Sequence, residues 1–404
     1  MKIAIIGKGT SAIVTALQMI SYGEHEVEFF YDPKTPHLSV GESSTPHIVK
    51  NLKEVCGITI EDLESQGIVS KKQGVNFIGW GKTPNWIHPF RDNETAVHFQ
   101  TDLFNKFVHD YLENEMGIKY HPFRVEDSDY KFEGSQVTIH GNTYDFVVEC
   151  SGWYYDYEYL QSDVYSVDSA VLHVSENIER EDYTIHRATP DGWQFELPFK
   201  GLGVSKCGYL YNSKMMTEER LSYLKKSFNS DRVVSWKPRY SRKLLRDPRV
   251  GMNGNKLFFF EPLQALSLLY YHVNAEITCD FLKNRNKLSF ADQNYRYRKT
   301  MGSYFKTLAL HYRFGSIYDT PYWNYITDTA EKYSKFSSVN TGDLDTFIYN
   351  IKMDRYMGEN FEEDNSYSTV GVMGLEDNLH IVKNMMSLSD SDLTFREEDF
   401  SDFR

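Results

Sequence analysis

An α/β fold organised on a parallel, Rossmann-like sheet is the class this sequence predicts. Three observations carry it: a β-branched N-terminal strand that ends in a glycine turn, a helix with one apolar face directly after it, and a second strand closed by an acid. A chain of 404 residues suggests two to three domain-sized units, although interleaved single architectures of that length exist. Hydrophobic residues at 41% and charged residues at 25% exclude wholesale disorder and a fibrous fold. The formal net charge of -13 repels polyanions, so no nucleic-acid partner is expected. Cys56, Cys150, Cys207 and Cys279 are widely spread with no C-x-x-C pair, which predicts neither a zinc site nor a disulfide framework. The 13 histidines lack a ligand spacing such as H-x-x-x-H, so no metal is expected. No stretch approaches the roughly 20 apolar residues of a membrane span. The apolar start breaks at Gly7-Lys8-Gly9, too early for a signal peptide, and a cytoplasmic, reducing setting is expected. Aromatic content is high, with 29 Tyr and 26 Phe, enough ring surface for an apolar pocket or simply a core.

Residues 2–6 (KIAII) read as a buried strand ended by glycine. After Gly7-Lys8-Gly9-Thr10-Ser11-Ala12, the residues Ile13, Ala16, Leu17 and Ile20 fall on one helical face. A second strand at Val27–Tyr31 ends at Asp32, twenty residues after Ala12. Strand, glycine turn, helix, strand and acid in this order form a dinucleotide-binding unit. Gly7 permits the tight turn, and Gly9 lets the backbone approach a pyrophosphate without a Cβ in the way. Ala12 replaces the third glycine at the helix–strand contact. The helix start around Thr10 and Ser11 offers N–H groups and a partial positive charge to phosphates, and Asp32 can accept hydrogen bonds from a ribose diol. The bland alternative is a strand–helix corner that merely needs glycine.

Val40-Gly41-Glu42-Ser43-Ser44-Thr45-Pro46 is a polar turn that starts a helix, with proline near its first position. Further motifs follow in order: Lys72 to Trp80 (KQGVNFIGW), Asp145 to Gly152 (DFVVECSG), Trp193 to Pro198 (WQFELP), Cys207 to Ser213 (CGYLYNS), Glu261 to Ser267 (EPLQALS), His311-Tyr312, and Asp319 to Trp323 (DTPYW). Individually each has an ordinary explanation in core packing or a solvated charge. Together, from residue 3 to about residue 325, they resemble the flavin-dependent halogenases of the tryptophan-halogenase type. The chain would be a short member of that family, with a viral type as one option.

The resemblance implies a flavoprotein of the GR2, monooxygenase-like kind: an FAD-binding Rossmann-like domain, an interleaved substrate-side sheet and a helical C-terminal part. The expected divisions are 1–165 for the FAD fold, 166–254 for the substrate-side sheet, 255–285 for a return to the FAD domain, and 286–404 for a helical region with an acidic tail. It implies that the loop with Gly41, Glu42, Ser43, Thr45 and Pro46 straps over the flavin. The family's catalytic lysine falls on Lys72, while Lys71 would face the other way along a strand. Trp193, Phe195 and Pro198, with Leu197, stand where the family has a wall between flavin and organic substrate. Backbone N–H groups of Leu266 and Ser267 fall at the family's halide position, a turn of the kind that nests anions. The implied chemistry uses reduced FAD (FADH2), O2 and a chloride, bromide or iodide ion. A flavin hydroperoxide gives hypohalous acid, and Lys72 passes the halogen to an aromatic substrate, either as an ammonium holding the acid or as a haloamine. No reductase segment is visible, so a separate flavin reductase is expected to supply FADH2; a homo-oligomer is compatible with the sequence.

Three features depart from the family pattern. The chain is shorter. Only five residues separate Asn255 from Glu261, where the family carries a longer glycine-rich stretch, which puts flavin contacts from that side in question. Gln264 stands where tryptophan-specific members place a catalytic glutamate. A missing preorganised carboxylate costs about 3–4 kcal/mol at a transition state, which points to electron-rich substrates such as phenols, indoles and pyrroles; Glu261 would have to turn inward to compensate. A flavin monooxygenase of the same fold, or an inactive flavin-binding homologue, are the competing readings. The aromatic run Trp153, Tyr154, Tyr155, Tyr157 and Tyr159 reads as packing or cavity lining, and the basic block Arg239–Arg249 as a solvated loop.

Overall fold

The computed structural model describes residues 1–35, 43–152, 159–161, 166–176, 182–336 and 375–387. The expected α/β class is what it shows. A six-stranded sheet runs in the order Leu245–Asp247, Val250–Met252, Phe146–Glu149, Lys2–Ile6, Glu26–Phe30, Tyr120–His121. Its pairings are parallel except for that of the first two strands. Strand Lys2–Ile6 is central and buried because its side chains are apolar on both faces, the pattern of a covered parallel sheet. One face carries helix Thr10–Ser21, which packs against the long helix Leu266–Lys283. The other face meets a small antiparallel meander, Lys131–Glu133, Gln136–Ile139 and Asn142–Tyr144, through Ala4, Ile6, Phe30, Val137 and Val147.

A seven-stranded sheet stands beside it, in the order Val233–Ser235, Ser169–Ser175, Val204–Tyr211, Gly192–Phe199, Thr184–Thr189, Gly74–Ile78, Asn85–Pro89. Its pairings are antiparallel except for that of Thr184–Thr189 with Gly74–Ile78. The strand pairings cross two of the expected divisions. Residues 74–89 belong to this second sheet although they lie inside the first expected unit. Residues 245–252 belong to the nucleotide sheet, so the return begins before residue 255. The cause is burial: Val250, Gly251 and Met252 are enclosed and pair in parallel with Val147, Val148 and Glu149, a place only an apolar strand can fill.

Helices Phe290–Arg313, Pro321–Phe336 and Leu375–Met386 make up the described C-terminal part. The last of these is seated on the hairpin Gly74–Ile78/Asn85–Pro89: Gly81 abuts Met385, Lys82 N–H donates to the Met385 carbonyl at 2.7 Å, and His380 Nε2 lies 2.7 Å from the Ile87 carbonyl. All but the first three of the last twenty residues, the expected acidic tail, and most of the aromatic run (153–158) lie outside the described residues. All four cysteines are buried and unbridged. No described helix is long and apolar enough to cross a membrane.

Candidate active site

One cavity of about 990 Å³ runs from the glycine turn to the junction of the two sheets. At one end it is lined by Gly7, Gly9, Thr10, Ser11 and Asp32; at the other by Ser43, Lys72, His186, Phe195, Gln264 and Ser267. The two ends are far apart in sequence, and the architecture brings them together.

The turn is built as its spacing predicts. Gly7 has φ +129°, and a Cβ there would lie 2.5 Å from the Cys150 carbonyl oxygen, so both conformation and space demand glycine. Gly9 is different: its φ of -97° suits any residue and an added Cβ would meet nothing within 4 Å among the described residues. The protein's own packing gives no reason for glycine here, but close approach of a ligand does. Helix Thr10–Ser21 begins without a side-chain cap and without an acid in its first turn, leaving its positive end to the cavity. Thr10 instead donates its hydroxyl to Asn105 Oδ1 at 3.0 Å, and Ala12 is fully buried in the helix–sheet contact. Asp32 faces the cavity while accepting from Lys34 N–H and the Thr35 hydroxyl, bonds that hold its carboxyl below the usual range. These residues fit a dinucleotide such as FAD. Gly41 and Glu42 lie outside the described residues; Thr45 and Pro46 are buried at the start of helix Pro46–Cys56.

Lys72 ends strand Val69–Lys72, which pairs antiparallel with Ala96–Phe99. Alternation along the strand separates two neighbouring lysines. Lys71 points outward to Glu61 and Glu64, at 3.2 and 3.6 Å, whereas Lys72 is 0% exposed. Its Nζ donates to Ser43 Oγ at 2.9 Å and to the Ser44 carbonyl at 3.0 Å. With no carboxylate pairing it among the described residues, burial pulls its pKa down to about 7. The loop carrying these acceptors is fixed by Ser44, whose N–H donates to the Val97 carbonyl and whose hydroxyl accepts from Val97 N–H. Beneath lie His98, with Nε2 2.8 Å from Thr184 Oγ1, and the fully desolvated His186, whose Nδ1 has no partner among the described residues. Burial, and after it the nearby Lys72, pushes His98 down to about 3 and His186 well below the usual value.

On strand Gly192–Phe199, Phe195 and Leu197 line the cavity. Trp193 is fully buried behind them, edge-on to Trp80 and 4.7 Å from the His186 ring. Pro198, also buried, pairs with Ser205 rather than lining the cavity.

Gln264 and Ala265 hold consecutive left-handed conformations, φ 54° and 57°, immediately before helix Leu266–Lys283. Non-glycine residues reach that region at a cost of about 1–2 kcal/mol each, so packing must impose the turn. Two clamps do so. Gln264 Nε2 lies 3.1 Å from His88 Nδ1, and His88 is itself stacked on His380 at 5.5 Å. Below the turn, Glu261 accepts from the Tyr312 and Ser166 hydroxyls, while burial raises its carboxyl to about 7. Glu261 does not line the cavity. It is not turned toward the cavity but braces the turn from behind. Leu266 N–H already donates to the Leu263 carbonyl, whereas Ser267 faces the cavity.

Sequence reasoning missed His88, His98, Thr184, His186, Lys256 and Tyr271. Only Lys256 stood in a segment marked as unusual. Among the described residues, no group of three or more His, Cys, Asp or Glu could hold a metal.

Several known structures share this architecture. The tryptophan halogenase from Shewanella frigidimarina NCIMB 400 superposes with a TM-score of 0.74 at 17% identity, over 96% of this chain and 89% of the other. BrvH, a flavin-dependent halogenase from Brevundimonas sp. BAL3, gives 0.72 at 16% identity over 96% and 90%. SttH, a tryptophan 6-halogenase from Streptomyces toxytricini, gives 0.71 at 17% identity over 99% and 95%. No curated protein matches. At such identities the likeness establishes the fold, and the family rests on a separate match: the tryptophan halogenase family model covers residues 2–97 and 91–375. The chain therefore belongs to the tryptophan halogenase family of flavin-dependent oxidoreductases.

Proposed function

We propose that this enzyme halogenates electron-rich aromatic rings, phenols, indoles or pyrroles, and that Lys72 as a neutral amine carries the halogen. Reduced FAD, supplied by a separate reductase, would bring the O2 chemistry that turns a halide ion into hypohalous acid. The chain's own residues do the rest. Gly7, Gly9, Thr10, Ser11 and Asp32 would hold the dinucleotide. The turn at Gln264–Ser267 would hold the halide, with Ser267 as its cavity-facing member. Phe195 and Leu197, backed by Trp193, would keep the organic substrate from the flavin.

The observation that carries this reading is the hydrogen bonding of Lys72. A neutral amine has two N–H donors and one lone pair. Both donors are used, on Ser43 Oγ and the Ser44 carbonyl, which leaves the lone pair toward the cavity that Lys72 lines. Burial favours this neutral form, with a pKa near 7. The nitrogen lone pair attacks the halogen of hypohalous acid; one N–H proton leaves with the hydroxide as water, and an N–halogen bond remains. An electron-rich ring carbon then takes the halogen, and the ring proton returns to the nitrogen, restoring the amine. Gln264 supports the substrate class: an amide supplies no negative charge to a cationic ring, so the ring must bring its own stabilisation.

The test is turnover with enzymatically reduced FAD, O2 and each halide on a phenol, indole and pyrrole panel, read by product mass. Halogenated products are expected, with a rate that rises as pH passes through about 7 and that Lys72→Ala lowers by about 100-fold or more. A mass gain of one oxygen would point to a hydroxylase. A Lys72→Ala protein with the parent rate would overturn the role of Lys72.

A further inference from the structure

At the end of the cavity around Lys72, the polar side chains in its lining are Ser43, Lys72, Thr184, His186, Gln264 and Ser267. Five of them are engaged with one another or with the wall. Ser43 accepts from Lys72, and Thr184 Oγ1 lies 2.8 Å from His98 Nε2. Gln264 Nε2 lies 3.1 Å from His88 Nδ1, and Ser267 Oγ lies 3.4 Å from the Tyr304 hydroxyl. His186 is the exception. No hydrogen bond joins it to another described residue, and rings flank it instead, Trp193 at 4.7 Å and Phe77 at 5.3 Å.

The strand that carries His186 sets its place. Side chains two apart on a strand share a face, so His186 stands next to Thr184 on strand Thr184–Thr189. Thr184 Oγ1 is in turn 3.5 Å from the Ser43 hydroxyl that accepts from Lys72. Across the sheet His186 is in register with Phe195, which lines the same cavity. The ring is 2% exposed, and burial, with the Lys72 charge after it, keeps the imidazole neutral. A neutral imidazole carries one N–H. Nδ1 is enclosed and has no acceptor among the described residues, and a buried N–H without an acceptor is a rarer thing than an under-used acceptor. The proton therefore belongs on Nε2, the other nitrogen of a ring that borders the cavity.

We propose that His186 is a second catalytic residue of the halogen transfer: its Nε2–H binds the oxygen of hypohalous acid and stabilises the hydroxide that departs when Lys72 takes the halogen. This rests on the role of Lys72 given above and deepens it. In that step the lysine lone pair forms the nitrogen–halogen bond, and the halogen–oxygen bond breaks with its electron pair going to oxygen. Negative charge develops on that oxygen, while both N–H donors of Lys72 are occupied by Ser43 Oγ and the Ser44 carbonyl. His186 supplies the donor that Lys72 cannot. It keeps its own proton, and the proton that the nitrogen loses turns hydroxide into water, so no further oxidant or reductant enters. A fixed donor in a dry cavity needs no reorganisation as the charge appears, which is where such a group acts most strongly. The pair also gives the oxidant a direction, halogen toward Lys72 and oxygen toward His186, so that it is held instead of released.

The experiment follows two fates of the oxidant in the full chain, supplied with enzymatically reduced FAD, O2, bromide and a phenol. Ring-brominated phenol is read by mass, and hypobromous acid that escapes is captured in parallel reactions by monochlorodimedone in solution. Wild type, His186→Leu and His186→Gln are compared, the glutamine keeping an N–H donor on a side chain of similar reach. His186→Leu is expected to lower ring bromination by about 100-fold, as loss of one preorganised donor does, while trapped oxidant per FADH2 consumed stays level or rises. His186→Gln should recover bromination to within about tenfold of wild type. Unchanged bromination in His186→Leu, an equal loss of both products, or a glutamine variant no better than leucine would overturn the assignment. If His186→Leu does not fold, nitrogen-15 NMR of the wild-type histidines decides: a proton on Nε2 of His186 supports the role, and one on Nδ1 overturns it. A wild type that yields neither product nor trapped oxidant would bring down the proposed function and this role with it. A halogenating wild type with a fully active His186→Leu would remove this role alone.

Discussion

Lys72 is decided by its surroundings more than by its residue type. A lysine with a carboxylate neighbour keeps its charge, as Lys71 does with Glu61 and Glu64. Lys72 has a hydroxyl and a carbonyl instead, and burial lowers its pKa from 10.5 to about 7. The consequence for stability has a definite sign. Between those two values the unfolded chain binds a proton that the folded chain does not, so stability rises with pH across that window. Lys72→Met removes the titration. Chemical denaturation between pH 7 and 9 should show a flatter pH dependence for the variant than for the wild type; parallel curves would mean that the lysine stays charged. Gln264 makes a second residue-level prediction. Gln264→Glu places a carboxylate beside His88 on the cavity wall and, on the proposed function, should extend turnover to less activated aromatics. An unchanged substrate range would count against the argument that the amide restricts it.

At the scale of elements, the glycine turn separates two reasons for the same residue. Gly7→Ala forces a Cβ against the Cys150 carbonyl and a φ that alanine resists; it should lower stability by about 2 kcal/mol or more, seen as an earlier thermal unfolding. Gly9→Ala meets no atom of the described residues, so it should melt like the wild type and bind FAD more weakly. A Gly9→Ala protein with wild-type FAD affinity would break the link between the open space and a phosphate. The contrast also shows what was legible beforehand. Strand, turn, first helix and second strand are local, and their periodicity and glycines state them. The bracing of Gln264 was not legible. His88 reaches it from a hairpin 176 positions away, and Glu261 is held by Tyr312 and Ser166, which lie 51 and 95 positions from it. No local pattern marks a residue whose role comes from such partners. Lys256 is intermediate: its segment was visibly short, but only the fold places its side chain in the cavity.

For the whole molecule, the last described helix, Leu375–Met386, is part of the site's support although none of its described side chains lines the cavity. It is pinned where Gly81, at φ +66°, lets the Met385 backbone approach within 2.5 Å of an ideal Cβ position. Gly81→Ala should dislodge that helix, which limited proteolysis would report as faster cleavage near residue 380. Because His380 stacks on His88 and His88 holds Gln264, the same variant should also lose halogenation rate. Rapid cleavage with full activity would show that the helix is not part of that chain of contacts.

The interleaving of the two sheets has a consequence for synthesis. The glycine turn leaves the ribosome before either neighbour of its strand is complete: strand Lys2–Ile6 waits for Phe146–Glu149, and that strand waits for Val250–Met252. Everything between must be held in readiness while both long loops close. A nascent chain cut short of residue 252 lacks an edge of its nucleotide sheet as well as the turn that carries Lys256. The glycine turn is thus synthesised well before the two strands that complete the sheet around it.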